Sequence, residues 1–159
     1  MKTIILYASH HGATREIAQR IANNLDDCTI HDLKQNSKPS LDDVDCVIIG
    51  SPVYAGIIHR NVRRFLARNK DRLLEVKLAL FLSGMQPSQQ KEYFSSHFSP
   101  ELLHHAVAAS FLGGIYDPQN VGKVNRFIMK VVARMDEYDN TINDVKIKRF
   151  IEMILKSSK

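Results

Sequence analysis

Strand-like and helix-like segments alternate along this chain from end to end, and no other feature restricts its fold as tightly. Residues 3–8 (TIILYA) form a continuous apolar, β-branched run, the pattern of a strand covered on both faces. Residues 14–25 follow, with Ile17, Ala18, Ile21, Ala22 and Leu25 in a stripe one helical turn apart. Residues 28–33 read as a short edge strand, 40–44 as at most a turn or two of helix, and 44–50 (VDCVIIG) as a third strand. A helix over 60–74 carries Val62, Phe65, Leu66 and Leu73, and 76–82 supply the fourth strand. Residues 86–105 look helical with a break near Pro100, and 106–112 form the fifth strand. Helices over 121–135 and 145–156 flank a polar connection at 136–144.

Such alternation implies right-handed βαβ units and therefore an α/β, doubly wound parallel sheet with helices on both faces. The length, 159 residues, suits one domain, and no repeat, low-complexity tract or linker divides it, so a single domain over 1–159 is expected. A hydrophobic content of 44% against 25% charged excludes a disordered chain. Its apolar runs are too short to cross a bilayer. Residues 4–8, preceded by Lys2 and broken by His10 and His11, do not make a secretory segment, which points to the cytoplasm.

Cys28 and Cys46 are too far apart for a CxxC pair, and both fall in or beside strand-like segments, where buried reduced thiols are expected. The histidines form no HExxH or His/Cys cluster, so no metal is expected. The net charge of +5 is uneven: residues 1–122 hold 13 Lys/Arg against 12 Asp/Glu, and residues 123–159 hold 9 against 5. That basic tail suits anionic lipid, an acidic partner, nucleic acid or simply a solvated helix face.

In a doubly wound sheet, ligands bind outside the carboxyl ends of the strands, which directs the reading to three loops. Ser9, His10, His11, Gly12, Ala13 and Thr14 open directly into a helix. Two hydroxyls, a glycine and a helix N-terminus make an anion site, whereas a plain turn would use Thr14 as an N-cap. There is no GKS/T and no GxGxxG, so neither the NTPase phosphate loop nor the usual dinucleotide fingerprint is present. After the third strand come Ser51, Pro52, Val53, Tyr54, Ala55 and Gly56, which suit a slot for a planar ligand with Tyr54 as its stacking face. Ser83, Gly84, Met85 and Gln86 can close its other side.

Together these loops resemble those of the flavodoxin family. Ser9, Gly12 and Thr14 match its Ser/Thr-rich phosphate loop, with His11 where a threonine is usual. Within that family the chain is most similar to the menaquinone-dependent protoporphyrinogen oxidases. That likeness is carried by residues 1–3 with Thr14 to Ala18 (TREIA), by Tyr54-x-Gly56-x-x-His59, and by Arg126 to Lys130 (RFIMK). The chain departs from them in being shorter and less aromatic around residues 116–123.

The resemblance implies a five-stranded flavodoxin-like sheet of order 2-1-3-4-5, in three layers, and FMN held by all three loops. It implies electrons taken from a small-molecule substrate such as a porphyrinogen and delivered to a quinone. Arg60, Arg63, Arg64 and Arg68 would then attract propionates or an acidic redox protein partner, or form a solvated face.

Residues 123–135 sharpen the picture independently. Val124, Phe127, Ile128, Val131, Val132 and Met135 form one apolar stripe, while Lys123, Arg126, Lys130 and Arg134 line much of the remainder. A basic amphipathic helix of this kind either covers the sheet or lies peripherally on an anionic membrane, here the inner face of the cell membrane. No nucleic-acid partner is expected.

Two other functions compete. Electron carriers of the family are usually acidic, unlike this chain of pI near 9.3. A phosphoacceptor receiver needs aspartates where Ser9, His10, Gly50 and Ser51 stand, and is rejected. No side chain presents itself as an obligatory acid or base, so no catalytic residue is named.

Overall fold

The computed structural model describes residues 1–132 and 134–157. The elements run β1 (Thr3–Tyr7), α1 (Ala13–Ala22), β2 (Cys28–Asp32), β3 (Cys46–Tyr54), β4 (Ile57–Ile58), α2 (Arg60–Leu73) and β5 (Lys77–Ser83). A 3₁₀ turn (Pro87–Gln89), α3 (Gln90–His97), α4 (Pro100–His105), β6 (Ala108–Phe111) and β7 (Ile115–Tyr116) follow, then α5 (Lys123–Val132), β8 (Asp139–Asn140) and α6 (Asp144–Lys156).

Five parallel strands lie in the order β2-β1-β3-β5-β6, which is the expected 2-1-3-4-5 once the short β4 is set aside. The pleat explains why the strands read as continuous apolar runs, because successive side chains serve different layers. Ile4, Leu6, Val47, Ile49, Leu78 and Leu80 pack with Val62 and Phe65 of α2 and with Phe94 and Leu102 of α3 and α4. Their neighbours Ile5, Ile48, Ala79 and Phe81 pack on the opposite face with Ile17 and Ile21 of α1 and Phe150 and Ile154 of α6.

Several boundaries differ from the sequence reading, each for a local reason. The helix expected over 14–25 ends at Ala22, where the Asn24 side chain donates to the Arg20 carbonyl at 2.8 Å and closes the last turn. No helix forms at 40–44. Ser40 Oγ accepts the Asp42 N–H at 3.1 Å, and Asp43 takes φ 54, a side-chain-directed turn in place of helix. Strand β3 runs on to Tyr54 because β4 folds back on it, pairing Val53 with Ile58 and Tyr54 with Ile57. Ala55 and Gly56 between them both have positive φ, as a type I′ hairpin turn requires. Pro52 is tolerated in a central strand because β1 ends opposite Gly50, leaving no partner for the N–H that proline lacks. The polar connection at 136–144 contains β8, which pairs with β7 and is held by Thr141 N donating to the Gly114 carbonyl at 2.8 Å.

Cys46 is buried as expected, while Cys28, on the edge strand, is half-buried. Burial pushes both thiols up, to about 11 at Cys28 and about 12 at Cys46, so neither is a ready nucleophile.

Helix α5 departs most from a covering role. Phe127 is 67% exposed and Val131 60% exposed, so these members of its apolar stripe face away from the body of the domain. The side chains of Val124, Ile128 and Val132, and residues 133, 158 and 159, lie outside the described residues. Among the described residues, no helix is long and apolar enough to cross a membrane.

Candidate functional site

The chain leaves β1 at the carboxyl edge of the sheet and enters α1 through Gly12, whose φ of 95 and ψ of −19 favour glycine. Ser9 is buried, and its Oγ accepts the Gly12 N–H at 3.0 Å, so this hydroxyl braces the loop. Gly12, not Thr14, is the N-cap, and no side chain caps the helix. Glu16 N reaches back to the Gly12 carbonyl at 2.9 Å, and among the described residues the N–H groups of Ala13, Thr14 and Arg15 have no acceptor. These free donors at the positive end of a ten-residue helix can receive an anion.

Thr14 plays a different part from the N-cap a plain turn would need. Its hydroxyl is buried and shares a hydrogen bond of 2.7 Å with the Ser83 hydroxyl, tying the first loop to the end of β5. Lys34 Nζ donates to the Ser9 carbonyl at 3.2 Å, bringing an ammonium to the same loop.

A cleft of about 410 Å³ opens beside this helix start. Of the residues expected to form the site, Ser9, His10, His11, Ala13, Thr14, Pro52, Val53, Tyr54, Ala55, Gly56, Ser83, Gly84 and Met85 line it. Gly12 and Ser51 do not. Ser51 is fully buried because its Oγ accepts the His59 N–H at 2.9 Å, joining the hairpin to the start of α2. His97 Nε2 donates to the Gly56 carbonyl at 2.7 Å and fixes the hairpin turn from below.

The remaining wall was not legible in the loops singled out. Tyr93, Phe111, Tyr116, Asp117, Val121 and Met129 belong to it, joined by Gln89, while Gln86 comes from the Ser83–Gln86 loop already singled out. The Tyr93 hydroxyl donates to Gln89 Oε1 at 2.7 Å. Gly113 and Gly114 let the loop after β6 approach, with Gly84 N donating to the Gly113 carbonyl at 3.0 Å. A Cβ on Gly114 would come within 2.7 Å of the Gly84 carbonyl oxygen. The signal was available, because this loop too leaves the carboxyl edge of the sheet and carries a glycine pair and Tyr116.

Two features say what the cleft can hold. The Tyr116 side chain is buried, and among the described residues its hydroxyl has no hydrogen-bond partner, an arrangement that costs about 1–3 kcal/mol unless a ligand supplies one. The lining includes Tyr54, Met85, Phe111 and Tyr116, suited to a flat apolar ring. Burial raises the Tyr54 phenol above its ordinary range, with Tyr116 contributing, so Tyr54 is a neutral face at physiological pH.

At the amide end the ring of His10 lies 4.6 Å from that of His59, 6.0 Å from His11 and 5.8 Å from Tyr54, centroid to centroid. Burial, then His11 and Lys34, hold His10 below its usual value. Burial and His10 do the same for His59.

Comparison with known proteins agrees with this geometry. A family model described as a flavodoxin domain matches residues 4–143. The protoporphyrinogen IX dehydrogenase [quinone] of Escherichia coli strain K12 is 23% identical over 145 residues, covering 85% of this chain and 80% of that protein. A flavoprotein of Lactobacillus acidophilus NCFM, solved in complex with FMN, superposes with a TM-score of 0.55 at 20% identity, over 69% of this chain and 92% of that one. The two-electron reduced flavodoxin of Megasphaera elsdenii superposes with a TM-score of 0.58 at 16% identity, over 98% and 99%.

Proposed function

This chain belongs to the flavodoxin domain family, and from that premise we propose that it is an FMN-dependent oxidoreductase that moves electrons from an organic substrate of the porphyrinogen class to a quinone. The cleft carries the proposal. It offers free helix-start amides to a phosphate, and aromatic walls with a Tyr116 hydroxyl that has no partner among the described residues to a polar ring.

The residues fit the cofactor. Ala13, Thr14 and Arg15 would hold the phosphate through backbone N–H groups, with Gly12 bringing them close. Tyr54 would pack against the ring system, and the Tyr116 hydroxyl, without a partner among the described residues, would hydrogen-bond to it. FMN supplies the hydride and single-electron chemistry. The chain itself binds, orients and excludes water: Thr14 and Ser83 lock the two loops together, and His97 holds the hairpin turn.

The porphyrinogen and quinone rest on the similarity to the E. coli protein. The alternative is an electron carrier between redox proteins, and the net charge of +5 speaks for the enzyme over the usual acidic carrier. Anaerobic oxidation of protoporphyrinogen by a menaquinone analogue, with FMN-loaded protein, separates the two. Multiple turnovers support the enzyme. No turnover, with efficient electron exchange to a protein acceptor, supports the carrier.

Access to a quinone follows from α5. Phe127 and Val131 point outward, Lys123, Arg126 and Lys130 stand on the same helix, and Met129 lines the cleft. The helix carries no acid. We propose that this face lies on an anionic bilayer surface from the cytoplasmic side, setting the cleft beside the phase in which a quinone dissolves.

A further inference from the structure

We propose that His10 is a specificity-determining residue: it takes up a proton as a phosphorylated flavin binds and sets a positive charge against the phosphate, so that FMN is held in preference to riboflavin. The inference rests on the FMN reading above and concerns which side chain answers the phosphate's charge.

His10 and His11 both line the cleft beside Ala13 and Thr14, whose free N–H groups open α1, and His10 is the one held against the ring of His59, at 4.6 Å. His59, 4.6 Å away, is committed elsewhere, because its Nδ1 accepts the Asn61 N–H at 3.1 Å and caps α2. A second proton on that ring would break the cap, so His59 stays neutral and positions the ring of His10. Lys34, fixed on the Ser9 carbonyl, holds a standing positive charge on the same loop.

Charges facing the pair come from every neighbouring element. His11 shares the loop, Lys34 follows β2, Arg60 begins α2, and Tyr54 adds a phenol from β3. Among the described residues Asp32 of β2 is the acid acting on His59, and it is engaged by Arg15 at 3.7 Å. Partial desolvation, then His11 and Lys34, hold His10 below its ordinary value in the free protein. A phosphate dianion against it reverses that balance, and the ring protonates. The bound state then holds more protons than the free state, so affinity for FMN rises as pH falls through the bound-state value. The cofactor's own phosphate titrates near pH ~6, so the comparison that isolates His10 is variant against wild type at each pH.

The test titrates the full-length apoprotein with FMN and with riboflavin, following flavin fluorescence, for wild type and His10→Gln. Near pH ~6.5 the variant is expected to bind FMN about tenfold more weakly, the worth of a lost charge-assisted hydrogen bond. At pH ~9 the ratio of FMN to riboflavin affinity is expected to be the same in the two proteins, whereas near pH ~6.5 it is lower in the variant. Calorimetry of wild type in two buffers of different ionisation enthalpy should show proton uptake with FMN and none with riboflavin. FMN binding that is tight but takes up no proton overturns this inference alone. Failure of the wild type to bind FMN at any pH overturns the FMN reading and this inference with it.

Discussion

Helices α2 and α5 have nearly the same sequence design and opposite fates. Each carries an apolar stripe at helical spacing beside a row of basic residues. In α2 the stripe is spent on the sheet: Val62, Phe65 and Leu73 are at most 1% exposed. In α5 Phe127 and Val131 remain open to solvent while Arg126 grips the Pro118 carbonyl through Nε at 2.9 Å and Nη2 at 2.7 Å. Periodicity establishes that a helix has an apolar face. It does not establish what covers that face, which depends on where the preceding loop delivers the helix.

The largest expected effect separates the two helices by stability. Phe65→Ala should cost about 3–5 kcal/mol in urea unfolding, as deletions of fully buried rings do. Phe127→Ala should stay within about 0.5 kcal/mol. A comparable loss from both would show that α5 packs on the domain in solution and would break the contrast.

Membrane affinity should separate them the other way. Phe127→Glu combined with Val131→Glu should abolish flotation with anionic vesicles and leave the unfolding midpoint in place. Arg63→Glu with Arg64→Glu on α2 should leave flotation largely intact. Equal losses from the two double variants would reduce the interaction to unspecific charge, worth about 1 kcal/mol per basic residue near the surface.

A smaller effect tests how α2 begins. His59→Ala removes the acceptor for the Asn61 N–H and should cost about 1 kcal/mol, with His59→Asn restoring most of it. No restoration by asparagine would mean that the ring contributes by packing on His10, not by capping.

The smallest effect is the pH dependence of the apoprotein. His10 and His59 are both held below the ordinary histidine value, so the unfolded chain takes protons first as pH falls. The stability they contribute is present above pH ~6.5 and declines below it. Urea midpoints of wild type and His10→Gln/His59→Asn, measured from pH ~7.5 to ~5.5, should diverge as the pH drops, wild type losing more. Parallel curves would contradict the assigned protonation states.

The sheet was readable because burial on both faces leaves an unbroken apolar signature in residues such as Ile48, Ile49, Leu80 and Phe81. The amide end of the cleft was readable for a similar reason, since Gly12 before a helical stripe announces a helix start. Ser51 misled because a serine in an exposed-looking loop is indistinguishable from one turned inward to accept a backbone N–H. Tyr54 was found, but the hairpin it sits on was not, since Ala55 in a left-handed conformation lacks the usual asparagine or glycine signal. Tyr116 and Met129 escaped because tertiary folding brings them in: β8 anchors β7, and the loop after β7 delivers α5 to the cleft.

The central claim is that the cleft holds FMN, and the most direct test is equilibrium titration of the purified apoprotein with FMN, read by visible absorbance and fluorescence quenching. The account predicts a saturable one-to-one complex, a yellow protein after gel filtration, and weaker binding by Tyr116→Phe, which removes the hydroxyl without altering the ring. A protein that stays colourless after incubation with excess FMN, and leaves its fluorescence unquenched, would contradict it.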